Sequence, residues 1–358
     1  MEDRSPPVKE LALAFGLSAI ESSESLGAGH IHQTFLAKCG EDAFVLQRLN
    51  AGVFPSLNTL LENAERITEH LRSRLAATGV SDLERRVLRL IRTTDGALSH
   101  RDESGAIWRC SPYIDGSTSR NSALGPDDAR TAAEAFGRFA VALDDLDPAP
   151  AVTLEGFHDL PGRRAELEVA AARDVSNRVG PLERDVSETL ALCDRILSEH
   201  DLSELPVRVV HNDCKLNNLL FDVTSGEALC VLDLDTVMEG SVVYDFGELV
   251  RTACCHADED EIDHAKIRVD PELLRALTTG YADGAEAILT DGERRALPLA
   301  GARLALENAL RFLADHLSGD VYFSVARSGQ NLDRHRAQRF LAERLLEATA
   351  TVSAQLRL

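Results

Sequence analysis

The feature that most constrains this chain is a switch in hydrophobic period. Up to about residue 112 the apolar residues come mainly in short alternating runs, whereas from Pro126 onward they recur at helical spacing, with one interruption between about 206 and 236. In the first part, VKELALAFGL has helical spacing, and residues 22–50 read as strand, tight turn at Gly40-Glu41-Asp42, and strand. Pro55 opens a long helical pattern carrying Leu57, Leu60, Leu61, Ala64, Ile67 and Leu71, with Gly79 as its stop. ERRVLRLIRT and AIWRCSPYIDG, on either side of an Asp95-Gly96 turn, complete two more strands. The expected architecture is α+β: residues 1–112 form a small antiparallel sheet with one main helix, and residues 113–358 form a larger, mostly helical domain.

The interruption consists of two β-rich runs, VRVVHNDCKLNNLLFDV and EALCVLDLDTV, joined by Thr224-Ser225-Gly226. Each delivers polar residues at or just past its apolar part, so this hairpin inside a helical domain is a place to mount chemistry. Charge narrows what that chemistry acts on. Lys and Arg number 38 against 59 Asp and Glu, a net charge of −21, which opposes binding to nucleic-acid phosphates or to anionic membrane lipid. MEDRSPPVKE has no apolar core behind a basic patch, and no stretch nears the ~20 apolar residues of a bilayer span, so the expectation is a cytoplasmic protein with no nucleic-acid or membrane partner. The seven cysteines are scattered without C-x-x-C spacing and read as reduced, mostly buried thiols, including the adjacent Cys254 and Cys255. His30 and His32 form an H-x-H with no acid or thiol cluster nearby, which favours a structural or pocket role over metal.

In His211-Asn212-Asp213-Cys214-Lys215-Leu216-Asn217-Asn218 an acid is followed two residues later by a cation and five residues later by an amide, and Asp233 stands fifteen residues beyond Asn218. Phosphoryl transfer needs a carboxylate to receive the proton of an attacking hydroxyl, oxygen ligands for magnesium and a cation on the moving phosphoryl group. Asp213 suits the first task, Asn218 and Asp233 the second, and Lys215 the third. With the strand-rich segment upstream, H-x-D-x(4)-N and the later Asp resemble the aminoglycoside phosphotransferase superfamily of protein-kinase-like enzymes. That resemblance implies a two-lobed protein-kinase-like fold, ATP and magnesium as cofactors, and a loop-stabilising rather than catalytic His211. The D-F-G at Asp245-Phe246-Gly247 comes too late for the metal acid, and Asp245 reads as the N-cap of the next helix. Asp235 is open between a second metal-shell residue and a solvated loop acid.

On the nucleotide side, Gly27 and Gly29 would let backbone N–H groups approach ATP phosphates, although a G-x-G is equally a hairpin turn. Where such kinases carry a phosphate-pairing Lys, this chain has Gln47, with Arg48 on the opposite face by strand alternation; a helix-borne partner, Glu62 or Glu65, stays unassigned. Ser111, Tyr113 and their neighbours look like the interlobe hinge that meets adenine, or like an ordinary interdomain connection.

A second resemblance covers nearly the whole chain. GHIHQTFLA, FVLQRLN, GFHDLPGRRAEL, NNLLFD, LCVLDLDTVMEGSVVYDFGELVRTA and LRFLADHLSGDVYFSVARSGQNLDRHRAQ are similar to blocks of the N-acetylhexosamine 1-kinases. It implies phosphorylation of the anomeric hydroxyl of a small-molecule sugar, N-acetylglucosamine or N-acetylgalactosamine, with Arg311 and Tyr322 lining the sugar pocket. From the residues alone Arg311 faces either a polar cavity or Asp315 at i+4, and Tyr322 serves either a pyranose or the core. Two other readings are a kinase of the same fold acting on an aminoglycoside, another sugar or choline, and a silent nucleotide-binding regulator suggested by Gln47. Oligomeric state is left open.

Overall fold

The structure, a computed structural model, describes residues 5–27 and 31–356. In chain order its elements are α1 (Val8–Ala14), β1 (Ser22–Ser25), β2 (Gln33–Cys39), β3 (Asp42–Arg48), α2 (Leu57–Ala77), α3 (Leu83–Arg86), β4 (His100–Arg101), β5 (Ile107–Pro112), β6 (Ser117–Thr118), α4 (Pro126–Leu143), α5 (Leu160–Arg173), α6 (Glu183–Glu199), β7 (Arg208–Val210), β8 (Leu219–Asp222), β9 (Ala228–Val231), β10 (Met238–Gly240), α7 (Val242–Ala253), α8 (Pro271–Gly284), α9 (Asp291–Ser318) and α10 (Gln330–Leu356). The expected α+β composition is present. Against the expected boundary at 112/113, the chain divides into a first compact unit running to Thr118 and taking in Asp145–Glu155 and Leu220–Met238, and a second holding the remainder.

The first unit carries a five-stranded antiparallel sheet in the order β1-β2-β3-β5-β4. Strand alternation sorts its residues: Leu46, Trp108 and Cys110 pack with Leu11 and Phe15 of the α1 segment, while Ile107 faces Leu57, Leu60 and Leu61 of α2. Gln47 and Arg109 are cross-strand partners on the α2 face, and Arg48 pairs with Trp108 on the other, as alternation requires. Helix α2 opens at Leu57, two residues later than Pro55, under Ser56, whose side chain accepts the N–H of Thr59. ERRVLRLIRT corrects the expectation of a strand: Leu83–Arg86 are helical, and only Ile91 bridges to Cys110. The reason is that its apolar residues serve three different cores, Leu88 with Ile114, Leu90 with α2 and Ile91 with Trp108, so no single face exists for a sheet to bury. A second small sheet, β6-β8-β9, holds the hairpin read from the sequence.

The second unit is built on α9, whose Leu304, Leu306, Leu310 and Leu313 are fully buried. Each such burial contributes about 1.5–3 kcal/mol. A capping box of Thr290 and Glu293 starts the helix and Gly319, at φ 101°, ends it. All seven cysteines are free, with Cys255 half-buried and the others buried.

Candidate phosphotransfer site

In the second unit, β7 runs into the loop that carries Asp213, and the loop is fixed from three sides. Asp245, fully buried on α7, accepts the N–H of Asn212 at 2.6 Å and of His211 at 3.1 Å. Burial pushes its carboxyl pKa up, against the opposing pull of His211 and of those two N–H groups. Asp245 is therefore no N-cap: Ser241 caps α7, and Asp245 lies a turn further in as the loop's clamp. The glycine of the same D-F-G is a packing residue, since a Cβ on Gly247 would meet the Ala300 carbonyl of α9 at 2.7 Å. His211, completely buried beside Phe136 and Phe139, accepts the Asp213 N–H through Nδ1 at 3.2 Å, which is a loop-stabilising role. Asn212 adopts the left-handed region at φ 65°, and its side chain lies where a Cβ on Gly240 would come within 2.6 Å.

The clamps turn Asp213 toward two side chains of its own loop. Lys215 Nζ lies 2.6 Å from Oδ1, and Asn218 donates through Nδ2 to the Asp213 carbonyl at 2.8 Å and to Oδ2 at 3.2 Å. Burial acts to discharge Lys215, but Asp213 and Glu248 outweigh it and hold the ammonium pKa above its ordinary value. Glu248, 3.9 Å from Nζ, is itself buried and paired with Arg251. A carboxylate held between an ammonium and an amide is oriented, as a general base must be. Because Asn218 turns its amide nitrogen to Asp213, its oxygen is the end left for a hard cation.

In the first unit, Asp233 sits at φ 56° just past β9 and opens a 3-10 turn over Leu234–Thr236. Asp235 is not a solvated loop acid: it is 2 % exposed, takes Arg109 at 2.6 and 2.9 Å on its two oxygens, and accepts His32 Nε2 at 2.8 Å. Arg109 also donates from Nε to Gln47 Oε1 at 2.9 Å and feels the charge of Asp233. Gln47 is further engaged with Thr34, and Glu65 on α2 pairs with Arg92. The cation beside Gln47 is thus Arg109, one strand over from the expected Lys position; a charged residue inside the apolar run IWRCSP was its one sequence signal. Of the expected adenine-side residues, Ser111 is a sheet residue opposite Val45, and Tyr113 already donates its N–H to the Ala43 carbonyl, leaving its carbonyl for a base. Gly27 takes φ 73°, where a side chain is strained; Gly29 and His30 lie outside the described residues. A cavity of about 820 Å³ beside Arg48, Asn50, Asp102 and Trp108 contains none of the expected site residues.

Arg311 and Tyr322 do come together, in a groove of about 740 Å³ in the second unit. The Arg311 guanidinium lies over the rings of Phe323 at 5.1 Å and Tyr322 at 5.8 Å. The i+4 ion pair with Asp315 is absent. Asp315 instead accepts the N–H groups of Val321, Tyr322 and Phe323 at 2.8–3.0 Å, together with Asn331, and so fixes the aromatic loop. Tyr322 is 69 % exposed, which removes it from the core, while Phe323 packs tilted against Phe312, centroids 4.6 Å apart. Arg163, Glu166 and Arg173 of α5 form the opposite wall.

A strand-rich unit followed by a helical one, with a loop carboxylate set between Lys and Asn, defines a protein-kinase-like phosphotransferase. The chain belongs to the phosphotransferase enzyme family (APH), whose sequence model matches residues 23–287. Among solved structures it is similar to an aminoglycoside phosphotransferase from Alicyclobacillus acidocaldarius, at TM-score 0.61 and 14 % identity, covering 99 % of this chain and 98 % of that one. It is also similar to a microcompartment-associated aminopropanol kinase, at TM-score 0.61 and 17 % identity over 96 % and 98 % of the chains. A third is the spectinomycin phosphotransferase in complex with ADP and spectinomycin, at TM-score 0.55 and 11 % identity over 97 % of each. At these identities the likeness speaks for the protein-kinase-like fold alone. Among the described residues no helix is long and apolar enough to cross a membrane.

Proposed function

We propose that this phosphotransferase is an N-acetylhexosamine 1-kinase, moving the γ-phosphoryl group of ATP to the anomeric hydroxyl of N-acetylglucosamine or N-acetylgalactosamine. The observation that carries this reading is the charge of the Arg311–Tyr322 groove. It holds three guanidinium groups against two carboxylates, an excess of one positive charge; Glu166 and Arg163 are paired with each other, and Asp315 is engaged by backbone N–H groups. Such a wall repels a polycationic aminoglycoside or a choline ammonium, while the tyrosine face suits a neutral pyranose.

In this mechanism Asp213 takes the proton of the attacking hydroxyl, and Lys215 bears on the phosphoryl group in flight. Asn218 and Asp233 would hold magnesium. Hard oxygen donors, few in number, suit an ion that keeps most of its water and substrate-phosphate ligands, and when bound it neutralises phosphate charge. Arg311 and Tyr322 orient the sugar. The ADP-release assay with magnesium and ATP should give kcat/KM at least about tenfold higher for an N-acetylhexosamine than for any aminoglycoside or choline, and the reverse order would refute the sugar assignment. Arg311→Ala should raise the sugar KM about tenfold or more and leave the ATP KM within about twofold; equal effects on both would remove Arg311 from the sugar pocket.

A further inference from the structure

We infer that His158, in the loop before α5, is a positioning residue that works as an imidazolium, pinning the peptide before Asp213 to Glu307 of α9. Its Nε2 lies 2.8 Å from the Asn212 carbonyl oxygen, and its Nδ1 lies 3.2 and 3.4 Å from the two Glu307 oxygens. A carbonyl and a carboxylate only accept, so a ring that makes both bonds carries a proton on each nitrogen. The setting supports the charge. Glu307 is 1 % exposed, and an unpaired carboxylate there would be costly; burial acts to discharge the ring, but Glu307, the Asn212 carbonyl and Glu248 outweigh it and raise its pKa. Tyr244 of α7 lies tilted against the ring, centroids 4.8 Å apart, and Arg303 lies one turn before Glu307 on α9. Asn212 is the loop residue in left-handed conformation, so holding its carbonyl holds the turn that aims Asp213. Glu307 also precedes Arg311 by four residues, so this one pair ties the base loop to the same helix face as the groove.

The catalytic consequence rests on Asp213 being the base, as proposed above; the structural claim does not. The sign follows from the raised pKa: the tie is complete at low pH and is lost as pH rises through the folded-state value. Two measurements on the full chain separate the claims. First, nitrogen-15 NMR of the protein without ligands should show both His158 nitrogens protonated at pH 7. The Asp213 and Cys214 amide signals should shift with the same midpoint as the ring, and Glu307→Gln should move that midpoint down by at least about one pH unit. A ring neutral at pH 7, accepting from a protonated Glu307, or loop amides that stay still while it titrates, would overturn the inference whether or not any acceptor is phosphorylated. Second, kcat should fall on the alkaline side at that midpoint, move with it in Glu307→Gln, and drop about tenfold or more in His158→Gln with both KM values within about threefold. If the ring and amides titrate together but the kcat limb does not follow, Asp213 is not the base, and the proposed chemistry fails while the tie stands.

Discussion

Asp213→Asn should lower kcat by about 10³-fold or more while the dissociation constants for nucleotide and sugar stay within about threefold. The substitution keeps the size of the side chain and an oxygen for Lys215, but it removes the group that can take a proton. The loop itself should survive, because its fixing bonds run through the Asp213 backbone and its neighbours: Asp245 holds the N–H groups of His211 and Asn212, and His211 holds the N–H of Asp213. The check pairs steady-state turnover with calorimetric binding of ATP and sugar to the variant. Parallel loss of binding and turnover would make Asp213 a structural residue.

The second large effect is on stability. Arg109→Met removes the cation from a carboxylate that is 2 % exposed and leaves Asp235 with the hydrogen bond from His32. Breaking a buried pair in this way costs about 3–5 kcal/mol, whereas replacing both members with apolar side chains is often close to neutral. Urea unfolding should therefore show Arg109→Met strongly destabilised and Arg109→Met/Asp235→Leu recovering most of the loss; a single-variant change below about 1 kcal/mol would contradict the account. The pH dependence has a definite sign. Burial would raise the Asp235 pKa, but Arg109 and then His32 outweigh it and hold it below the ordinary carboxylate range. The pair's contribution is thus complete above the unfolded-state value of about 3.9 and disappears as pH falls through the lower folded value. Wild type should lose stability in that acid window more steeply than the double variant.

The legible part of this fold lay in local patterns with one consistent face. Alternation in β2 and β3 and helical spacing in α2 and α4 each buried the face they advertised. ERRVLRLIRT misled because Leu88, Leu90 and Ile91 look like one strand yet are shared among three cores, an assignment made only when the chain closes on itself. The base loop was readable because Asp213, Lys215 and Asn218 are near neighbours in sequence and meet within one turn of chain. What escaped were partnerships across long separations. Arg109 meets Asp235 across 126 residues and His158 meets Glu307 across 149, and neither residue type nor spacing announces such a pair. Asp245 belongs with them: an acid near a helix start suggests a cap, but its partners are N–H groups 33 and 34 residues earlier. Arg311 and Tyr322 meet for a reason that sequence spacing did not contain, the Asp315 carboxylate that gathers three successive backbone N–H groups.

The central claim is that this loop delivers a phosphoryl group to the anomeric oxygen of a neutral amino sugar. Proton-coupled phosphorus-31 NMR of the reaction with magnesium, ATP and N-acetylglucosamine or N-acetylgalactosamine tests it most directly. The account predicts ADP together with a new phosphomonoester signal split into a doublet by the sugar's H1. An ester on a different oxygen, or no ester with either sugar while another hydroxyl compound is phosphorylated, would contradict it.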